Sequence, residues 1–200
     1  MPLALPRLVV ATGNPGKLRE LEALLAGVAA ELVPQAALGI AAAAETEPSF
    51  EGNALLKARH AARLAALPAL ADDSGLEVDA LGGQPGVHSA RYAGEGARDE
   101  ANNAKLLAAL AGVPEPRRAR YRCVIALVRS ADDPAPLVAR GHWEGRIART
   151  PRGTRGFGYD PLFEVGDGPL TAAELAPADK NRVSHRARAL AELLRLVGRA

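Results

Sequence analysis

The chain has 200 residues, 48% hydrophobic and 24% charged, with a net charge of +2. That length buries about 70% of the unfolded surface, and the composition excludes the disordered, collagen-like and membrane classes; the mild charge with no block of like sign does not predict a nucleic-acid binder and leaves a small anionic substrate open. One cysteine, Cys123, rules out an internal disulfide, and His60, His88, His142 and His185 form no zinc-spaced cluster, so a metal must be held mainly by carboxylates.

Residues 7 to 11 read as a short buried strand, and the apolar positions 18, 21, 24, 25 and 28 that follow have helical spacing, giving strand, turn, helix. Residues 54 to 67 form an Ala-rich helix that Pro68 helps to end. A short strand is predicted over 69 to 72, a turn at Asp73-Ser74-Gly75, a further strand over 76 to 80, a loop over 82 to 86 and a helix over about 99 to 111. Residues 119 to 129 and 137 to 148 are β-rich and pair most simply as a long antiparallel hairpin, which would make up a second lobe. A Gly- and Arg-rich loop covers 150 to 161, a strand 162 to 165, and Thr171-Ala-Ala-Glu174 has the form of a capping box opening a short helix. The last helix ends near Val197. The pattern is one α/β domain over residues 1 to 200, with a mixed central sheet and flanking helices. No apolar run approaches the roughly 18 residues of a membrane span, and Met1 to Arg7 lacks the features of a secretory signal, so a cytoplasmic protein is expected.

Four short segments could carry chemistry. Thr12-Gly13-Asn14-Pro15-Gly16-Lys17 joins the first strand to the first helix, with Asn14 as N-cap and Pro15 at the first helical position. Such a terminus suits an anion, and it is equally a plain capped helix start. Its spacing is too short for a P-loop, and Leu18 stands where Ser or Thr would be needed. Asp72 and Asp73 emerge at a strand end, where they could form a simple turn or divide the work of holding Mg²⁺ and polarising a water, with Glu45, Glu47 and Glu51 nearby in sequence. Phe157-Gly158-Tyr159-Asp160 places two of seven aromatics in a loop, suited to stacking on a base or to pinning the loop. Lys180, Ser184, His185 and Arg186 bring cations and a neutral donor together at the start of the last helix, where a solvated basic face is the alternative. Ser74 with His185 does not make a serine hydrolase, because the G-x-S-x-G elbow is missing. Only four lysines, Lys17, Lys57, Lys105 and Lys180, stand against 21 arginines, and Lys17 and Lys180 fall within these segments.

Taken in order, Thr12 to Lys17, Phe50 to Ala58, Ala71 to Leu76, Gly82 to Tyr92, Gly156 to Pro161 and Lys180 to Arg186 resemble the inosine triphosphate pyrophosphatase family, the XTP/dITP diphosphatases. The resemblance implies an elongated two-lobed domain with its active cleft between the lobes. It also implies a Mg²⁺-dependent homodimer that hydrolyses ITP, dITP and XTP to the monophosphate and pyrophosphate, with no nucleic-acid or membrane partner. By residue it implies Asp73 and Lys57 as catalytic, Glu45 and Asp73 as metal ligands, and Thr12, Gly13, Asn14, Pro15, Gly16 and Lys17 as the triphosphate cradle. Ser74, Phe157, Gly158, Tyr159, Asp160, Lys180, His185 and Arg186 match substrate-binding positions, with Tyr159 expected to stack on the purine. Arg152 and Arg155 flank the expected base side with no role assigned. A non-catalytic nucleotide- or RNA-binding module, and a hydrolase of other nucleotides, are the competing readings.

Overall fold

The computed structural model describes residues 5–26 and 31–198, so Val28, counted above in the first helical stripe, and Met1 to Ala4 lie outside the described residues. Strand β1 (Arg7–Val10) is apolar and buried over its last three residues, as a strand covered on both faces requires. It pairs in parallel with β2 (Glu31–Pro34) on one side and β3 (Ala69–Val78) on the other. With β4 (Arg118–Val128), β5 (Leu137–Ile147) and β6 (Phe163–Val165) they form a mixed six-stranded sheet in the order β2-β1-β3-β4-β5-β6, its β5–β6 pair antiparallel. The helices are α1 (Pro15–Leu25), α2 (Phe50–Ala65), α3 (Asp99–Ala109), α4 (Pro177–Val183) and α5 (His185–Val197).

The chain divides into two compact units. The first, within the described residues, comprises 5–26, 31–73, 123–141 and 186–198, and its core joins Leu8 and Val10 of β1, Leu21 and Leu25 of α1, Leu70 of β3, Ile125 and Leu127 of β4, and Leu190 and Leu193 of α5. The second comprises residues 74–122 and 142–185, with a core of Leu76, Val78, Leu106, Leu110, Tyr121, Trp143, Ile147, Tyr159, Leu162 and Phe163. The long β4–β5 segment is thus not a lobe of its own: residues 123–141 of it belong to the first unit and its outer ends to the second.

Four local expectations are corrected. Residues 69–78 are one ten-residue strand, not strand, turn, strand. Asp-Ser-Gly favours a turn only while its side chains must satisfy themselves locally; here Asp72 and Asp73 have cationic partners, and tertiary pairing overrides the local preference. Strand β2 escaped detection because it is four residues long with a single buried position, Val33, and ends in a proline that an edge tolerates. The Thr171–Glu174 pair makes half of a capping box, since Glu174 accepts from the Thr171 N–H at 2.8 Å, but the Thr171 hydroxyl donates to the Arg152 carbonyl and the helix begins only at Pro177. The last helical region is two helices, broken where Ser184 turns extended (φ −66°, ψ 161°).

Candidate functional site

In the first unit β1 delivers the chain to the N-terminus of α1. Asn14 Oδ1 accepts from the Gly16 and Lys17 N–H groups at 2.8 and 3.1 Å, and Thr12 Oγ1 accepts from the Asn14 N–H at 3.2 Å. The Gly16 and Lys17 N–H groups of this terminus are therefore already engaged by Asn14, and the formal positive charge beside it is the Lys17 ammonium. That ammonium lies 3.5 Å from Asp72 Oδ2.

Around β3 the same unit gathers a charged cluster. Lys57 of α2 donates to Glu45 Oε1 at 2.7 Å and to Asp73 Oδ1 at 2.9 Å, so one ammonium joins both carboxylates. Asn53, one turn before Lys57 on the same helix face, donates to Asp73 Oδ2 at 3.3 Å and holds the Glu47 backbone by accepting from its N–H and donating to its carbonyl. Of the three glutamates near this segment, Glu45 is the one bonded to Lys57; Glu51 pairs instead with Arg140, and the Glu47 backbone is tied to Asn53. Gly52 is needed for this packing, because a Cβ there would sit 2.7 Å from the Glu47 Cβ.

Asp72 points to a different set of partners. Arg186, fully buried, donates to Asp72 Oδ2 through Nε at 3.2 Å and Nη2 at 3.0 Å, and through Nη1 to Glu20. Burial opposes the Asp72 charge, yet Lys17, Arg186 and Lys57 together hold its carboxyl well below the ordinary range. At Asp73 the balance is reversed, since burial outweighs Lys57 and Lys17 and leaves the carboxyl above its ordinary value. Burial also opposes the Lys57 ammonium, but Asp73, Asp72 and Glu45 keep it protonated above its usual range. One strand thus presents a permanently ionised carboxylate beside a more basic one.

The remaining candidates lie in the second unit, apart from Arg186. Asp160 is buried and accepts from Lys180 Nζ at 2.5 Å, from the Phe157 N–H at 3.0 Å and from the Tyr121 hydroxyl at 3.2 Å. Gly156 permits this at φ +79°, where a Cβ would lie 2.0 Å from Asp160 Oδ2. Tyr159 is buried in the core and donates to the Ser89 carbonyl at 2.8 Å, so the half-buried ring of this loop is Phe157, with Lys180 Nζ 4.9 Å from its centroid. His185 is buried and stacks on Tyr121 at 4.6 Å. Ser74 follows Asp73 on β3 as a half-buried residue. Arg152 and Arg155 brace the loop, Arg152 through Glu164 and Glu174 and Arg155 through the Glu174 carbonyl.

Sequence reasoning missed Asn53 and Glu20. Both stood at readable spacings, Asn53 four residues before Lys57 and Glu20 three after Lys17.

Among the described residues no group of three or more His, Cys, Asp or Glu is arranged to hold a metal. Glu45 and Asp73, gathered on one ammonium, instead fit an ion that takes one or two carboxylates and completes its shell with water and substrate phosphate, as Mg²⁺ does. Asp72 Oδ1, buried without a hydrogen-bond partner, adds a further anionic oxygen with capacity to spare.

Buried carboxylates of opposed acidity on a strand that pairs in parallel with β1, met by ammonium groups from α1 and α2 beside a capped helix N-terminus, define an α/β enzyme built for a phosphorylated substrate. The model of the Ham1 family matches residues 8–196, and the chain belongs to that family. It is 60% identical over 188 residues to the dITP/XTP pyrophosphatase of Methylococcus capsulatus, covering 94% of each chain, and 57% identical over 195 residues to that of Thioalkalivibrio sulfidiphilus, covering 96% of this chain and all of the relative. The solved structure of a HAM1 protein from Coxiella burnetii superposes with a TM-score of 0.88 at 48% identity, over 97% of this chain and 99% of that one. The resemblance drawn from the motifs is thereby confirmed at the level of family and fold.

Proposed function

We propose that this chain hydrolyses the anhydride between the α- and β-phosphates of deaminated purine nucleoside triphosphates, ITP, dITP and XTP, releasing the monophosphate and pyrophosphate. The observation that carries the reading is the Lys57 ammonium bonded at once to Glu45 and Asp73, within a chain whose relatives are named dITP/XTP pyrophosphatases.

In this reading Asp73 is the general base. A carboxyl above its ordinary value takes a proton from water more readily than an ordinary carboxylate, while Lys57 orients it and balances its charge. Asp72, permanently ionised, does not compete for that proton; it fixes Lys17 and Arg186. Thr12 to Lys17 receive the phosphates, Lys17 offering its ammonium and Gly13 and Gly16 close backbone approach. Glu45 and Asp73 would hold Mg²⁺, which when bound supplies neutralisation of phosphate charge. Ser74, Phe157 to Asp160, Lys180 and His185 serve the base, with Phe157 the ring available for stacking; Arg186 acts through Asp72. Hypoxanthine and xanthine share a 6-oxo acceptor and an N1–H donor that adenine lacks, and a pocket matched to them rejects ATP by leaving buried polar groups unpaired, by about 10⁴-fold.

The working enzyme is a cytoplasmic homodimer that acts on free nucleotides, engaging neither nucleic acid nor membrane. No helix among the described residues is long and apolar enough to cross a membrane. The test measures pyrophosphate and orthophosphate release from ITP, XTP, dITP, GTP and ATP, with and without Mg²⁺, for the native chain and Asp73→Asn. Mg²⁺-dependent pyrophosphate from the deaminated purines, lost by about 10³-fold or more in the folded variant, is the expected result. Orthophosphate would move the cut to another bond, and binding without turnover would make the chain a nucleotide-binding module. Sedimentation at the mass of one chain would remove the dimer.

A further inference from the structure

Helix α3 holds the Phe157–Asp160 loop by the backbone of one residue. Asp99, at the first position of α3, accepts from the Gly158 N–H through Oδ2 at 2.6 Å, and Asn103, one turn later, donates through Nδ2 to the Gly158 carbonyl at 2.9 Å. The i, i+4 spacing puts both side chains on one helix face, so they take the donor and the acceptor of the same residue. Gly158 has φ +63°, and a Cβ there would meet nothing within 4 Å; the glycine supplies a conformation, not clearance. The bond to the Gly158 carbonyl also fixes which way the Asn103 amide faces, because reversing it would set oxygen against oxygen. Its Oδ1 is consequently buried with no hydrogen-bond partner.

The support is itself anchored. Asn102, buried, accepts from the Ala93 N–H at 2.7 Å and donates to the Ala90 carbonyl at 3.2 Å, while Leu106 and Leu110 sit in the core of the second unit. Asp99, by contrast, is exposed. Its bond to the Gly158 N–H is charge-assisted, a type worth about 1.5 kcal/mol, or about tenfold in an equilibrium constant, and because it is made at the surface that energy goes into selecting one position of the loop in which Phe157 and Asp160 stand, not into the core.

We propose that Asp99 and Asn103 are positioning residues for nucleotide recognition, acting through the backbone of Gly158 on the Phe157–Asp160 loop. The proposal rests on the assignment of that loop to the base and goes beyond it by naming what sets the loop. A group that only pre-organises binding should change KM and leave the chemical step alone.

The test compares native enzyme, Asp99→Ala, Asp99→Asn, Asn103→Ala and the double alanine variant for kcat and KM with ITP, for the dissociation constant of IMP, and for thermal stability. Asp99→Ala is expected to raise KM and the IMP dissociation constant about tenfold, equivalent to about 1.4 kcal/mol, with kcat within about threefold. Asp99→Asn retains an acceptor and should stay within about threefold of native. The double variant should fall no further than about twofold beyond the worse single, because both release the same residue of the loop. The proposal is overturned if KM and IMP affinity of both alanine variants remain within about twofold of native while native enzyme turns over ITP, or if losses appear only as lowered melting temperature. It is equally overturned if Asp99→Asn falls as far as Asp99→Ala. Native enzyme that leaves ITP intact would instead count against the functional reading itself, which separates the two failures. Should Asp99→Ala not fold, Asn103→Ala carries the same comparison.

Discussion

Replacing Arg186 by methionine would remove a buried cation while keeping a side chain of similar length. In the native protein the side chains of Arg186 and Asp72 are 1% and 0% exposed, and the guanidinium makes two bonds to Asp72 Oδ2 and one to Glu20. Removing one partner of a buried pair costs about 3–5 kcal/mol, because the other charge is left uncompensated. Two features narrow that range. Lys17 Nζ remains 3.5 Å from Asp72 Oδ2, and the Glu20 side chain, 13% exposed, keeps contact with solvent. A carboxyl that ordinarily titrates near 3.9 can also take up a proton at pH 7, which limits the penalty for Asp72 to about 4 kcal/mol, about three units at 1.36 kcal/mol each. The expected loss is therefore about 3 kcal/mol, a fall of about 1 M in urea midpoint for a chain of this size. The assay is urea unfolding followed by far-UV circular dichroism and by fluorescence of Trp143. Adding Asp72→Asn should recover part of the loss, with a coupling energy of about 1.5 kcal/mol or more. A loss below about 1 kcal/mol from Arg186→Met, or strict additivity with Asp72→Asn, would refute the argument and return Arg186 to a role in substrate contact alone.

Lys57→Met removes the ammonium between Glu45 and Asp73 and should lower kcat for ITP by about 10²–10³-fold in steady-state assays; full activity would show that the cluster is not the reacting centre. Gly156→Ala places a Cβ against the Asp160 carboxylate at a left-handed φ, so a loss of at least about 2 kcal/mol is expected on thermal denaturation. Asp133 accepts from Arg129 N, Nε and Nη2 and from the Ala135 N–H, and the Arg129 guanidinium holds its carboxyl well below the ordinary range. A carboxyl so depressed stabilises the fold above its unfolded value near 3.9, and that contribution fades as pH falls below it. Asp133→Ala should thus cost about 2–3 kcal/mol at pH 7, with the gap to native narrowing between about pH 4 and pH 2; a gap constant over that interval would exclude the ion pair as its source.

Much of this protein is determined locally and was legible without coordinates. Asn14 and Pro15 start α1, the apolar run of β1 buries on both faces, and the 3.6-residue stripes of α3 and α5 mark the faces that enter the two cores, because caps and periodicity depend only on neighbours in sequence. That Lys57 joins Glu45 to Asp73 was not legible in the same way, because Glu45, Glu47 and Glu51 all stand near one another in sequence and only the fold brings Glu45 to the ammonium. Nor was the join of Asp72 with Arg186, 114 residues away, or the continuity of β3 through Asp-Ser-Gly. Both depend on cations brought from other elements, and without them the same residues would form a turn. The inward packing of Tyr159, which leaves Phe157 as the accessible ring, likewise depends on the distant Ser89 carbonyl that satisfies its hydroxyl. Sequence determined which residue types were available for chemistry; long-range burial and charge compensation decided which of them ionise, which face outward and which hold the others in place.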